Sequence, residues 1–205
     1  MHSLVRKPDR VLEVASGPGW HSMILASSFL QKGGVLVSCD ISQAMVTKME
    51  KLFTSEHCEY SLVEGNKFLA EKTDFTAMSD DGKQLKNMCD LNQVIQAQQP
   101  FRKLVYTCQA NNEMLPFGDE SFGGYVANLS LQLVDNYKNQ LKEAFRVLKP
   151  NSIATFSVWG RRSESLHFSL VDQVLESHID PEKIEAYYAA RSNFNLYDDK
   201  GAAVK

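Results

Sequence analysis

Between Arg10 and Asp40 the chain runs through a short apolar segment, a glycine turn, an amphipathic stretch and a second apolar segment, and few folds accommodate that order. Arg10-Val-Leu-Glu-Val-Ala15 reads as a strand that ends in Ser16-Gly-Pro-Gly19. Met23, Ile24, Ala26 and Leu30 then recur at helical spacing, and Gly33-Gly34 is the expected stop. Val35-Leu-Val-Ser-Cys39 is a second buried strand with Asp40 at its end, and Ser42 is a suitable N-cap for a helix to about Phe53. A strand, helix, strand unit of this kind pairs its strands in parallel through a right-handed crossover.

The rhythm breaks at about residues 54–100, a polar stretch with a turn at Asp80-Asp-Gly82 and weak helical patterns around Leu62–Leu69 and Leu85–Ile95. Too few apolar residues occur there to close a separate core, so the stretch is expected to be an insertion, either a lid or a surface loop. Strands resume at Arg102–Thr107, Phe122–Leu129 and Ile153–Trp159, with helices over about Tyr137–Leu148, Leu166–Ser177 and Pro181–Ala190. Residues 1–205 therefore predict a single α/β domain built on an open, doubly wound, mostly parallel sheet.

Composition narrows the function classes. A formal net charge of -3 provides no basic stripe for a phosphate backbone. The four cysteines, Cys39, Cys58, Cys89 and Cys108, form no CxxC pair, so neither a metal site nor a disulfide framework is expected. The first ten residues lack an apolar signal core and no apolar run reaches membrane-spanning length, which predicts a cytoplasmic protein.

Two features on the first unit carry chemistry. Glycines at 17 and 19 let the backbone turn sharply and approach a ligand closely. Glu13 and Ser22 fit poorly with a dinucleotide fingerprint, since a carboxylate repels pyrophosphate and the third small position is imperfect. This disfavours a nicotinamide-dependent oxidoreductase and suits a ligand carrying positive charge. Asp40, about 20 residues beyond the turn, stands where an acidic side chain accepts both hydroxyls of a ribose.

A third feature is Asn111-Asn-Glu-Met-Leu-Pro-Phe-Gly-Asp-Glu-Ser-Phe122. Together with Val11–Gly19, Val37–Ile41 and Ala144-Phe-Arg-Val-Leu-Lys-Pro150, it makes the chain resemble the class I S-adenosylmethionine-dependent methyltransferases. The likeness is to the small-molecule, methyltransferase type 11-like branch related to the ubiquinone and sterol enzymes, and it extends over most of residues 10–160. It implies a Rossmann-like fold with S-adenosylmethionine as cofactor and a small-molecule acceptor. By the same resemblance Glu13, Ala15, Ser16, Gly17 and Gly19 would surround the methionine part of the cofactor, and Asp40 would hold the ribose. Ile41 and Met45 would lie against the adenine, Asn111 would receive the adenine amino group, and Asn112 would offer its backbone N–H. Asn128 would lie near the reacting methyl group. Ala15 replaces a glycine of the family pattern, and Asn111 replaces an aspartate.

Methyl transfer to such a cofactor's acceptor is an in-line displacement, in which the protein mainly aligns reactants and excludes water. A general base is needed only where the acceptor must lose a proton. His21 is the one candidate base, although first-turn histidines commonly serve structure; Gln132, Tyr125 and Arg161 are expected near the mouth. Asn128-Leu-Ser-Leu lacks the Asn-Pro-Pro-Tyr type of sequence found in amino-directed nucleic-acid methyltransferases. The family pattern also includes a C-terminal β-hairpin, which Ser192–Asp199 leads toward but which is expected to be missing here. The fifth strand of the sequence reading would then be an edge in need of a protein partner. A catalytically silent, methyltransferase-like subunit of an assembly is the rival expectation.

Overall fold

The computed structural model describes residues 9–30, 34–54, 68–72, 103–160 and 164–189. In chain order these form β1 (Arg10–Val14), α1 (Trp20–Ile24), β2 (Val35–Asp40), α2 (Gln43–Thr54), β3 (Phe68–Lys72), β4 (Lys103–Gln109) and β5 (Phe122–Asn128). They continue with α3 (Tyr137–Val147), β6 (Leu148–Ser157), α4 (Leu166–Glu176) and α5 (Pro181–Ala189). The strands form one six-stranded sheet in the order β3-β4-β2-β1-β5-β6. Every neighbouring pair is parallel. β1 lies centrally between β2 and β5, with Glu13 opposite Ser38 on one side and Val126 on the other.

Alternation along these strands supplies two apolar layers. Leu12, Val14, Val35, Val37, Cys39, Tyr106 and Cys108 form one layer with Phe117, Phe122, Ala144 and Val147. Val11, Leu36 and Val105 form the other with Leu25, Ala26, Leu30, Met49 and Phe53, so α1 and α2 cover the opposite face. Cys39 and Cys108 are register partners across β2 and β4, buried and unlinked, and serve as small apolar side chains.

Several sequence expectations are corrected. Five residues within the 54–100 stretch, Phe68–Lys72, add a strand beside β4 that takes in the last two positions of the weak helical pattern at Leu62–Leu69; the rest of that pattern, and Leu85–Ile95, lie outside the described residues. α1 widens into a π-helical turn over Leu25–Phe29 and closes at Leu30, whose N–H donates to Leu25 O at 2.9 Å, before the Gly33-Gly34 pair. β6 begins at Leu148 rather than Ile153. Pro150 is accommodated there because, among the described residues, β6 ends the strand order and its outer side needs no donor from that residue. Asn151 adopts a left-handed φ of 63°, and the ladder slips in register between Phe122 and Gly124. The expected turn is therefore a bulge within a strand. Cys58, Cys89, Asp80–Gly82, Arg161 and Ser192–Asp199 lie outside the described residues. Among the described residues, no helix is long and apolar enough to cross a membrane.

Candidate cofactor site

The carboxyl ends of β1, β2, β4 and β5 lie along one edge of the sheet, and the expected site residues sit at these ends or just beyond them. Ala15, Gly17 and Gly19 all take left-handed backbone angles, with φ of 51°, 56° and 94°. Glycine tolerates this freely, whereas Ala15 holds it against a steric penalty of about 1 kcal/mol. The loop is fixed to β2 by Ser16, whose N–H and hydroxyl both donate to Cys39 O at 3.0 Å. A Cβ at Gly17 would have no heavy atom within 4 Å, so open space lies above this residue. A Cβ at Gly19 would stand 2.6 Å from Met49 Cγ, so this glycine seats the loop on α2.

The glycine turn and the acidic strand end meet directly. Gly17 N–H donates to Asp40 Oδ2 at 2.9 Å, and Ser42 N–H donates to Asp40 Oδ1 at 2.9 Å. Each carboxylate oxygen keeps a further lone pair for an outside donor. Ile41 is exposed and Met45 half-buried at the adjoining start of α2. Gln109 Nε2 ties the same corner by donating to Ile41 O at 2.8 Å.

Beyond β4, Ala110 N–H donates to Asp40 O at 3.1 Å and brings Asn111 and Asn112 beside the carboxylate. Asn111 Oδ1 accepts the Glu113 N–H at 2.9 Å. Asn112 is buried, and its Oδ1 has no hydrogen-bond partner. A buried acceptor left in this way is costly and awaits a donor. Asn128, at the end of β5, accepts a hydrogen bond from the Ser157 hydroxyl.

Sequence reasoning gave no role to Ser38, and it separated Glu13 from His21. Glu13 is 1% exposed; Ser38 Oγ donates to its Oε2 at 2.9 Å, and His21 Nδ1 lies 2.7 Å from its Oε1. The hydrogen bond to Glu13 raises the His21 pKa above its ordinary value, against the opposing effect of burial. The signal for Ser38 was its place opposite Glu13 on the next parallel strand, visible only once the register is known. Of the residues expected at the mouth, Gln132 is buried and, with its amide oxygen facing Trp159, accepts from the indole Nε1 at 2.7 Å. Tyr125 has its phenol in the core, held by Gln140 Nε2 at 3.3 Å, and burial raises its pKa.

The Leu115–Phe122 segment is clamped by α3. Arg146 donates to Phe117 O at 2.6 Å, to Leu115 O at 3.1 Å and to Asp119 Oδ1 at 2.8 Å. Glu143 accepts from Leu115 N–H at 2.6 Å and from Arg146 Nε at 2.7 Å. Burial pushes the Glu143 pKa up, but the bonds from Arg146 and Leu115 outweigh it and hold the carboxyl below its usual value. A depressed folded-state pKa contributes stability above the unfolded value, and that contribution is lost as pH falls. Thermal midpoints should therefore fall below pH of about 4.3, and Glu143→Gln should flatten that slope; an unchanged slope would refute the linkage.

The family described as "Methyltransferase domain" matches residues 12–156. The chain belongs to this family. Curated relatives include the ubiquinone/menaquinone biosynthesis C-methyltransferase UbiE of Bartonella bacilliformis, 40% identical over 67 residues, which are 33% of this chain and 22% of the relative. UbiE of Bartonella quintana is 39% identical over 71 residues, 35% of this chain and 24% of that protein. The matches thus span about a quarter of the relatives' length. Among solved structures, a SAM-dependent methyltransferase from Methanosarcina mazei superposes with a TM-score of 0.53 at 21% identity, covering 82% of this chain and 61% of that one. That likeness establishes the fold of the methyltransferase domain, an α/β sheet of Rossmann-like form.

Proposed function

We propose that this methyltransferase domain transfers a methyl group from S-adenosylmethionine to a small-molecule acceptor. In this proposal residues 1–205 act as one domain with an insertion at about 54–100. The observation that carries it is the Gly17 N–H to Asp40 Oδ2 hydrogen bond, which brings the turn and the strand-end carboxylate directly together. The residues fit the cofactor: the space above Gly17 admits a closely approaching ligand, and the Asn112 Oδ1 offers a buried acceptor to the adenine amino group.

Bound S-adenosylmethionine supplies an electrophilic methyl carbon on a sulfonium that is a good leaving group. The chain's own residues then hold and align. Ala15, Ser16, Gly17 and Gly19 line the methionine part, and Asp40 accepts the ribose hydroxyls with its remaining lone pairs. Ile41 and Met45 cover the adenine, while Asn111 and Asn112 read its edge. Asn111 Oδ1 accepts the Glu113 N–H and keeps a second lone pair for the amino group. Asn128 borders the reacting end. Glu13 lies beneath the loop with both oxygens hydrogen-bonded within the protein, so it acts by charge rather than by direct contact.

Isothermal titration of the full chain with S-adenosylmethionine tests the proposal. A dissociation constant in the micromolar range, about -8 kcal/mol, is expected. Heat indistinguishable from dilution at millimolar cofactor would overturn it and favour the silent-subunit reading of the sequence.

A further inference from the structure

Glu13 faces α1 from the middle of the sheet, on the same side as Val11 and opposite Ser38 in the register. A carboxylate this deeply buried is costly unless both oxygens are paired. Ser38 and His21 provide that pairing, at 2.9 and 2.7 Å. Because a carboxylate only accepts, the proton of the shorter contact resides on Nδ1. This leaves Nε2, on the opposite edge of the ring, with the lone pair in neutral histidine.

His21 also lines a cavity of about 940 Å³, together with Leu25, Phe29, Val126, Asn128 and Ser157. The His21 side chain is 37% exposed while its partner is 1% exposed, so the ring links a buried charge to an accessible space. The charged groups elsewhere on the cavity wall, Asp9, Arg10 and Lys149, stand at the amino ends of β1 and β6. From the carboxyl ends of β5 and β6 the same wall carries the uncharged Asn128 and Ser157.

We propose that His21 is the general base of the transfer and that Glu13, held by Ser38, is its positioning residue. The acceptor seated in the cavity then belongs to the class whose nucleophilic oxygen or sulfur carries a removable proton. Its oxygen or sulfur bonds to the methyl carbon while the methyl–sulfur bond breaks with its electron pair retained on the cofactor sulfur. The acceptor proton passes to Nε2. One positive charge thereby moves from the sulfonium to an imidazolium that Glu13 neutralises. This inference rests on the methyltransferase proposal above.

Proton NMR titration of the cofactor-free chain provides a readout independent of turnover. The His21 pKa should lie above the ordinary value of about 6.5 and fall back toward it in Glu13→Gln. Transfer of labelled methyl from S-adenosylmethionine to phenol, catechol and 2-mercaptoethanol is measured alongside. His21→Gln should bind the cofactor within about threefold of the parent yet lose about 100-fold or more in kcat. In the parent the rate should climb with pH through the His21 titration, and added imidazole should restore rate to His21→Ala. A His21 pKa indifferent to Glu13→Gln overturns the assignment. So does kcat within threefold in His21→Gln, or cofactor binding by the parent with none of the three probes methylated. Failure of the parent to bind cofactor instead sinks the methyltransferase proposal itself.

Discussion

Asp40→Ala should reduce the affinity for S-adenosylmethionine by 100-fold or more. Hydrogen bonds to a charged acceptor contribute about 1.5–3 kcal/mol each, and the ribose would lose two of them. The substitution also releases the Gly17 and Ser42 N–H groups, both 2.9 Å from the carboxylate, so the turn loses its fixed position relative to β2. Asp40→Asn separates these effects. It retains the side-chain shape and one acceptor oxygen, and its affinity should fall by only about tenfold, or 1.4 kcal/mol. Thermal midpoints of both variants, taken without cofactor, control for the loss of the bond that orders the start of α2. Binding by Asp40→Ala within threefold of the parent would mean that the ribose is held elsewhere.

The central half of this architecture is legible because its determinants are local. An apolar run ending in Gly-Pro-Gly, and a second ending in Asp40, each carry their own strand end and loop. Convergence of the two then follows from parallel pairing alone. What stayed hidden depends on partners distant in sequence. Phe68–Lys72 contains no β-branched residue, and its strand exists through pairing with β4, a neighbour that begins 31 positions after it ends (103 against 72). Lys149-Pro-Asn151 reads as a turn on composition, yet the edge position of β6 lets the strand run through it.

The site divides along the same line. Gly17 and Asp40 were legible as residues with recognisable chemistry at recognisable spacing, whereas Asn112 entered only through the family resemblance, and for its backbone N–H. Glu13 was legible as a carboxylate but not as a partner of His21 and Ser38. That relation needs the side-chain alternation, the register opposite Ser38, and the first turn of α1 brought over the same face. Tyr125 was misjudged for a related reason. One residue of phase along β5 decides whether a side chain enters the core beside Phe156 or faces α1, and the sequence leaves that phase open.

Phe117→Ala should lower the unfolding free energy by about 3–5 kcal/mol. Phe117 is fully buried and meets Phe122 edge to face, with ring centroids 5.2 Å apart at 82°. Its carbonyl is held by Arg146 at 2.6 Å, so the backbone resists collapse into the space the ring vacates. A cavity that cannot close carries the larger penalty. For a chain of this size each kcal/mol corresponds to roughly 2–4 °C in Tm, which places the expected drop on the order of 10 °C. Denaturant titration with an unchanged m value would distinguish lost packing from a change in the unfolded state. Phe117 belongs to the same core cluster as Ala110, which precedes Asn111 and Asn112, so the surviving folded fraction should also bind S-adenosylmethionine less tightly. A loss below 1 kcal/mol would show that the Leu-Pro-Phe segment is not the wedge that sets this corner, and that the clamp from Arg146 and Glu143 suffices without it.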